Sequence, residues 1–419
     1  MSTLYPELET LSIDCIKQEQ LKKINNMLSY IQQSSYYQNK YPAEVSSFDD
    51  FEKLPLISKQ TLQQNFPYGF LSCAKEKIIR FNASSGTFGI PTLSYCTQND
   101  LDDLAKNEAI HFSRAGVSDK NIIQCMMGFN LFTAGWCCYQ GALQLGAAII
   151  PSGPGNTQRQ IDLLKQLKAD YIFSTPGYLQ HLLEFISAQE IVQMNVQKAI
   201  TGGEVLTYEF QRLAKEQYGI EVFNFYGMTE FAGHIASECE YHQGLHINED
   251  YFYVEIIDPK TGKTIPDGEY GEVVVTNLKR EAMPLIRYKT GDISKIIPEK
   301  CLCGRTHRRL EPVTHRIDDM MIINGVNVYP SQIEECLYKH ISTATNYLIH
   351  VTENGGLKKL WVDVELPYEV LKNMDILKKL KNELTVTLKS YITVSPKLNF
   401  VPLGTLKEIQ GKTKRVIKD

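Results

Sequence analysis

The sequence predicts an α/β fold in three parts: a large layer of parallel strands and helices, an antiparallel β subdomain, and a small α+β C-terminal unit. Three observations predict it. Short apolar runs alternate with helical periodicity from about residue 98 to 224, the pattern of strand–helix crossover units with helices on both sheet faces. Past about residue 245 the pattern becomes β-rich, with PDG and TG turns between segments. Beyond a polar stretch holding His315, Arg316, Asp318 and Asp319, strand and helix signals resume in a compact order. These changes place a large domain at 1–316, its β subdomain at about 245–312, and a small domain at 317–419.

The elements follow in order. Ile16, Leu21, Ile24, Met27, Leu28 and Ile31 recur at helical spacing within residues 10–40. Ser58 or Thr61 signals the start of a short helix. Helices are expected at 98–116, 134–145, 157–167, 178–188 and 208–217, and strands at 121–127, 147–151, 171–174, 198–201 and 222–224. The β subdomain is read at 252–257, 271–276 and 293–297. In the last unit, strands at 320–323 and 346–351 flank a helix at 330–339. Asn354-Gly355 marks a hairpin into 360–364, and one long helix is expected over about 370–391.

Composition narrows the function classes. Hydrophobic residues at 43% and charged residues at 22% are those of an ordinary soluble globular protein. A net charge of −4 gives no reason to expect a nucleic-acid partner or an anionic membrane surface. The start, MSTLYPELETLSIDC, lacks a basic region followed by an apolar stretch, and no run of eighteen apolar residues occurs. The expectation is therefore cytoplasmic, with no membrane partner. Ten scattered cysteines read as reduced residues, with Cys137, Cys138 and Cys336 in helix cores.

Four clusters carry chemistry. In FNASSGTFGIPTLSY, small residues let the backbone approach an anion, and Ser and Thr hydroxyls add donors; a plain turn is the alternative. In FNFYGMTE, at the end of the last predicted parallel strand, an aromatic, a glycine, a Thr and a carboxylate suit a base, a phosphate and Mg²⁺. A strand end with a buried Tyr reads equally well. In MPLIRYKTGD, a turn after a strand would present Asp292 to two ribose hydroxyls, or form an Asx turn. In the terminal GKTKR, Lys412 offers a point charge to a phosphoryl transition state, or belongs to a solvated basic tail.

In this order the four clusters resemble the adenylate-forming superfamily of acyl-CoA synthetases, closest to the phenylacetate–CoA ligase (aryl-CoA ligase) family. PLISKQTLQQNFPYGF, ASSGTFGIPT, NTQRQIDLL, YGMTE, GLHINEDYFYVEIIDP, CLCGRTHRR and MIINGVNVYPSQIE carry the resemblance, which spans about 54–418. It implies ATP-dependent activation of an aromatic carboxylic acid to an acyl-adenylate and transfer to coenzyme A. Delivery to a carrier-protein thiol or an amine is the alternative, and a degenerate nucleotide-binding module is a third reading.

Carried over by motif, the resemblance gives ATP phosphates to Ser84, Ser85, Gly86, Thr87 and Gly89. Adenine falls to Tyr226 and the Gly202-Gly203-Glu204 run, with Phe225 and Gly227 among the cofactor-binding residues, the α-phosphate to Thr229, and Mg²⁺ to Glu230. The ribose falls to Asp292, with Arg308 and Arg316 in the neighbouring stretches; Asp318 is the hinge and Lys412 the adenylation lysine. An acyl pocket is expected from Phe129, Leu131, Phe132, Thr133, Ala134, Gly135 and Met228, aromatic and small residues without a fixed charge. The family also implies a homodimer. Phe88 and Ile90 depart from its phosphate loop, removing a Thr and a Lys, and His315 replaces a Gly before the hinge. Finally, Cys239, His246, Cys301 and Cys303 form a C-x6-H plus CxC set suited to a closed structural Zn²⁺ site, as some family members carry.

Overall fold

A computed structural model gives the fold, and it describes residues 4, 6–84, 92–317, 321–323, 326–341, 345–354, 357–406 and 415–418. Two compact units result, Met1–Gly153 with Phe223–Val313 and Pro154–Val222 with Thr314–Asp419.

In the first unit, Ser12 caps the helix Ile13–Tyr30, which buries Ile16, Ile24, Met27 and Leu28 along one stripe. The short helix expected here is Lys59–Gln64, with Ser58 as its cap and Thr61 completing a reciprocal capping box. Strands Arg80–Ala83 and Leu93–Cys96 pair antiparallel, Arg80 opposite Cys96 and Ala83 opposite Leu93. Thr97 and Asp100 then box the start of Gln98–Arg114. The other duty of Asp100 is tertiary, because its carboxylate also accepts from the backbone N–H groups of Glu281 and Ala282 at 2.6 and 3.0 Å. Strands Ile122–Cys125 and Ala148–Ile150 run parallel, joined by the helix Ala134–Leu145, which Gly146 ends in the left-handed conformation. One apolar core links the N-terminal helix to the β subdomain, from Ile24 and Phe51 to Val254, Val273 and Tyr288.

Two differences from the sequence reading lie here. The strand expected at 222–224 runs Glu221–Met228, so Tyr226, Gly227 and Met228 lie within it. It turns back through Gly233–Ser237, which pairs antiparallel with it and then with Leu245–Ile247. Those two strands were missed because Thr229 to Ala232 carry no Gly/Pro turn signal; the reversal is made by a short 3₁₀ turn ended by Ala232 at φ 57°. The second difference is Asp292. It sits inside the strand Tyr288–Ser294, not in a turn after a strand.

In the second unit, Tyr171–Ser174 and Lys198–Gly202 pair in parallel. The helix expected at 178–188 is two helices, Pro176–Glu184 and Ala188–Met194, because Ser187 makes a capping box with Glu190 and restarts the chain. The C-terminal sheet is Lys397–Pro402, Leu357–Leu366, Tyr347–Asn354 and Val416–Lys418 in spatial order, parallel at both outer pairings and antiparallel at the centre. The long helix expected near 370–391 is likewise broken, into Tyr368–Lys372 and Met374–Ile392, where Asn373 leaves helical geometry and caps Ile376. Among the described residues no helix is long and apolar enough to cross a membrane.

Candidate active site and metal centre

The stretch expected to grip phosphate rises from the hairpin Arg80–Ala83/Leu93–Cys96. At its tip Ser84 N–H donates to the Thr92 carbonyl at 3.0 Å, and the Thr92 N–H donates to Ser84 Oγ at 3.3 Å. Ser85, Gly86, Thr87 and Gly89, with Phe88 and Ile90, lie outside the described residues. The stem is tied to the expected acyl segment: Ala83 N–H donates to the Leu131 carbonyl at 2.8 Å, and Asn82 Nδ2 reaches the same oxygen at 3.3 Å. The stretches expected to hold the phosphates and the acyl group, 50 residues apart, are thus neighbours.

Around the acyl segment, Phe129 meets Trp136 edge-on with ring centres 5.7 Å apart, and Trp136 Nε1 donates to the Asn130 carbonyl. Phe132 is exposed, Thr133 is buried, and Gly135 opens the Ala134–Leu145 helix hard against Gly128. A Cβ on Gly135 would stand 2.4 Å from the Gly128 carbonyl oxygen, so only glycine fits. Met228 is half-buried and packs on the main core.

Two of the motifs expected to hold the nucleotide converge. Tyr226 Oη donates to Asp292 Oδ2 at 2.7 Å, joining two motifs 66 residues apart. Asp292 is presented by a β-bulge: Val274 faces Lys289 and Glu272 faces Ile293, so three residues of one strand oppose Val273 alone. Gly291 takes φ 77° at that bulge. Glu230 follows within the 3₁₀ turn, 7% exposed, with Tyr288 Oη donating to its Oε1 at 3.3 Å, and Thr229 stands half-buried beside it.

The other expected residues are placed as follows. Phe225 is 1% exposed, with its ring 5.5 Å from Phe112 and 5.2 Å from His234, so its side chain is core. Alternation along a strand explains this, since Tyr226 points to the opposite face. Arg308 gives its guanidinium to Glu249 Oε1 at 2.7 Å and to the Val254 carbonyl at 3.2 Å, bracing the β subdomain. Gly203 is exposed at φ 81°, while Glu204 Oε2 accepts from the Gly177 N–H at 3.0 Å. Arg316 lies in the strand His315–Arg316, and Asp318 and Lys412 are outside the described residues.

The sequence offered no signal for the buried pair behind this strand. Glu108 accepts from the His234 N–H at 2.8 Å and meets His234 Nδ1 at 2.5 Å. The Gly227 backbone lies directly on His234, where a Cβ would come 2.7 Å from the His234 Cα. A Glu and a His 126 residues apart form no motif.

The cysteine set is brought together as expected. The ligand atoms of Cys239, His246, Cys301 and Cys303 all lie within 4.8 Å of one another, and all four residues are buried. Cys239 Sγ and Cys301 Sγ are 3.7 Å apart, close to the roughly 3.8 Å that two thiolates show on a tetrahedral zinc with Zn–S of about 2.3 Å. Cys303 Sγ and His246 Nε2 are 3.3 Å apart. Hydrogen bonding from Cys239, joined by His246, pulls the Cys303 thiol well below its ordinary value despite its burial. The Arg305 N–H also donates to it, at 3.5 Å. The surroundings are cationic and pinned: Glu9 accepts from Arg114 Nε at 2.6 Å and Arg305 Nε at 3.1 Å, and Arg114 Nη1 donates to the His246 carbonyl at 2.7 Å. These donors suit a closed metal site in chemistry and spacing.

Comparison with known proteins agrees with this frame. Residues 42–278 match the AMP-binding enzyme family and residues 325–419 match the AMP-binding enzyme C-terminal domain. The chain is 36% identical to phenylacetate-coenzyme A ligase of Pseudomonas putida, covering 98% of this chain and 95% of that one. It is 33% identical to the Escherichia coli K12 protein of the same name, covering 99% and 97%. Among solved structures, 2-hydroxyisobutyryl-CoA ligase with 2-HIB-AMP, in the postadenylation state, matches with a TM-score of 0.90 at 25% identity, covering 99% of this chain and 92% of that one. A benzoate CoA ligase from Burkholderia xenovorans LB400 matches in fold with a TM-score of 0.57 at 18% identity, over 79% and 66%. The paired Tyr226 and Asp292, the two family matches and the near-complete coverage lead to one conclusion: this chain belongs to the AMP-binding enzymes, as an AMP-forming acid–CoA ligase similar to phenylacetate-CoA ligases.

Proposed function

We propose that the protein activates an aromatic carboxylic acid, arylacetic or benzoic in type, with ATP and transfers the acyl group to coenzyme A. The products are aryl-CoA, AMP and pyrophosphate. The observation that carries this reading is the 2.7 Å Tyr226–Asp292 hydrogen bond beside Glu230, in a chain so similar to enzymes named for phenylacetate. In the first step a carboxylate oxygen of the acid attacks the α-phosphorus and pyrophosphate leaves. Asp292 accepts from the ribose hydroxyls, Tyr226 offers its ring to adenine, Thr229 donates toward the α-phosphate and Glu230 holds Mg²⁺. Lys412, protonated, faces the charge that builds on the phosphoryl oxygens. In the second step the CoA sulfur attacks the acyl carbonyl carbon and AMP departs as the leaving group.

Residues 317–419 act as the small mobile domain, turning about Asp318 between steps. Ser84 to Gly89 grip the β- and γ-phosphates, with one cation fewer than the family pattern because Ile90 replaces its Lys. Cys239, His246, Cys301 and Cys303 hold one Zn²⁺, which would pin the β subdomain to the strand that follows Glu230. A cytoplasmic homodimer completes the reading; light scattering on the eluted protein tests the assembly.

The deciding experiment is acid-dependent ATP–pyrophosphate exchange over a panel of arylacetic, benzoic and medium-chain fatty acids, followed by product analysis with CoA or a phosphopantetheinylated carrier. Exchange driven by the aryl acids and aryl-CoA as product are expected. Exchange with the fatty acids alone, or acyl transfer to the carrier alone, overturns the substrate or the acceptor respectively.

A further inference from the structure

The chain on either side of residues 407–414 is tied down. Before it, the Leu406 N–H donates to Glu365 Oε1 at 2.6 Å. After it, Arg415 is held from several directions. Its guanidinium lies over the Tyr347 ring, 4.4 Å from the centroid, and Nη1 donates to Asn346 Oδ1 and, at 3.1 Å, to the Tyr347 carbonyl. The Arg415 carbonyl accepts from the Ile349 N–H at 2.7 Å, starting the strand Val416–Lys418. Tyr347 is itself fixed, donating through Oη to Glu334 Oε2 at 2.8 Å. All of these partners belong to the C-terminal residues.

One partner does not. Arg415 Nη2 also reaches Gln180 Oε1 at 3.5 Å, on the helix Pro176–Glu184. The first turn of that helix carries Gly177, whose N–H holds Glu204. Burial works against the guanidinium charge, and Tyr347, Glu334, Tyr338 and Glu204 favour it. Glu204 belongs to the Gly203-Glu204 segment expected to line adenine. Lys412 lies three positions before Arg415 in the sequence, a stretch that reaches at most about 11 Å.

We propose that Arg415 is a positioning residue for the adenylation step: by binding Gln180 beside the Glu204 segment it registers the Lys412 stretch on the nucleotide-lining part of the protein. This rests on the reading of Lys412 as the adenylation lysine. Arg415 touches no reacting atom. Its planar guanidinium can stack on Tyr347 and donate in two directions at once, which a lysine ammonium cannot reproduce.

The test measures the two half-reactions separately in the full-length protein, as acid-dependent ATP–pyrophosphate exchange and as aryl-CoA formation from preformed acyl-adenylate. For Arg415→Ala, exchange should fall about 100-fold in kcat with little change in the KM for ATP, the scale expected when a catalytic group is misplaced by about 1 Å. Thioester formation should fall less than about fivefold, and Arg415→Lys should recover only part of the exchange. Gln180→Leu, which leaves every C-terminal contact of Arg415 in place, should lower exchange in the same direction and add little to Arg415→Ala, as expected for coupled partners. Equal loss of both half-reactions with a lowered melting temperature, or additive effects of the two variants, overturns the proposal. Lys412→Ala separates it from the parent reading: if that variant keeps wild-type exchange, Lys412 is not the adenylation lysine and both ideas fall. If it loses exchange while Arg415→Ala does not, only the role given to Arg415 falls.

Discussion

Removing one oxygen from Tyr226 tests the proposed nucleotide site most directly. Tyr226→Phe keeps the ring for adenine and deletes the hydroxyl that donates to Asp292 Oδ2 at 2.7 Å. A hydrogen bond to a charged group contributes about 1.5–3 kcal/mol. Tyr226 is only half-buried, so water replaces part of the lost bond and the lower figure applies. Asp292, 3% exposed, loses one donor to its carboxylate and, on the proposed reading, must reorder to accept two ribose hydroxyls. About 1.5 kcal/mol corresponds to a roughly tenfold rise in the KM for ATP, with kcat nearly unchanged, because ribose binding is the same before and after the phosphoryl step. Tyr226→Ala should add a further loss of about 1–3 kcal/mol as the stacking ring disappears. Acid-dependent pyrophosphate exchange as a function of ATP concentration measures both. A KM within twofold of wild type for the Phe variant, or a loss confined to kcat, would refute the assignment of this pair to ribose.

Further outcomes are expected. Glu9 is 1% exposed between the fully buried side chains of Arg114 and Arg305, so Glu9→Gln should lower stability by about 3–5 kcal/mol at neutral pH, read as a shift in the urea midpoint. Burial alone would raise the Glu9 carboxyl, but Arg114 and Arg305 bring it below its usual 4.5. Its contribution is therefore complete above pH 4.5 and fades as pH falls through the lower folded value, so the gap between wild type and Glu9→Gln should narrow in acid; a constant gap contradicts the argument. Metal analysis of the purified protein should find about one zinc per chain, and Cys303→Ser should lose most of it and melt earlier. A wild-type protein free of metal, and as stable with chelator as without, would rule the site out. Gly135→Ala must push the Gly128 backbone away from a contact of 2.4 Å, so kcat/KM for the acid should fall about 10- to 100-fold while the KM for ATP stays within threefold. Kinetics against the acid would expose the opposite pattern.

Much of this was legible in the sequence because it rests on local chemistry. Helix periodicity, the Ser58–Thr61 cap and the parallel strand runs depend on neighbours a few residues away, and they appear where the spacing puts them. The motif order carried the family, and the C-x6-H and CxC spacing carried a four-ligand cluster, because two short local pairs need only one fold contact to meet. What the tertiary structure decided was which side of an element a residue faces and what lies across from it. It turned Phe225 into core while Tyr226 reached Asp292, since alternate residues of a strand point to opposite faces. A β-bulge, which leaves no turn signature, put Asp292 inside a strand. Glu9 with Arg114 and Arg305, Glu108 with His234, and Arg415 with Gln180 are pairings across 105 to 296 residues. Such charges are stable only because burial forces each to find its partner, and that requirement is written in space, not along the chain.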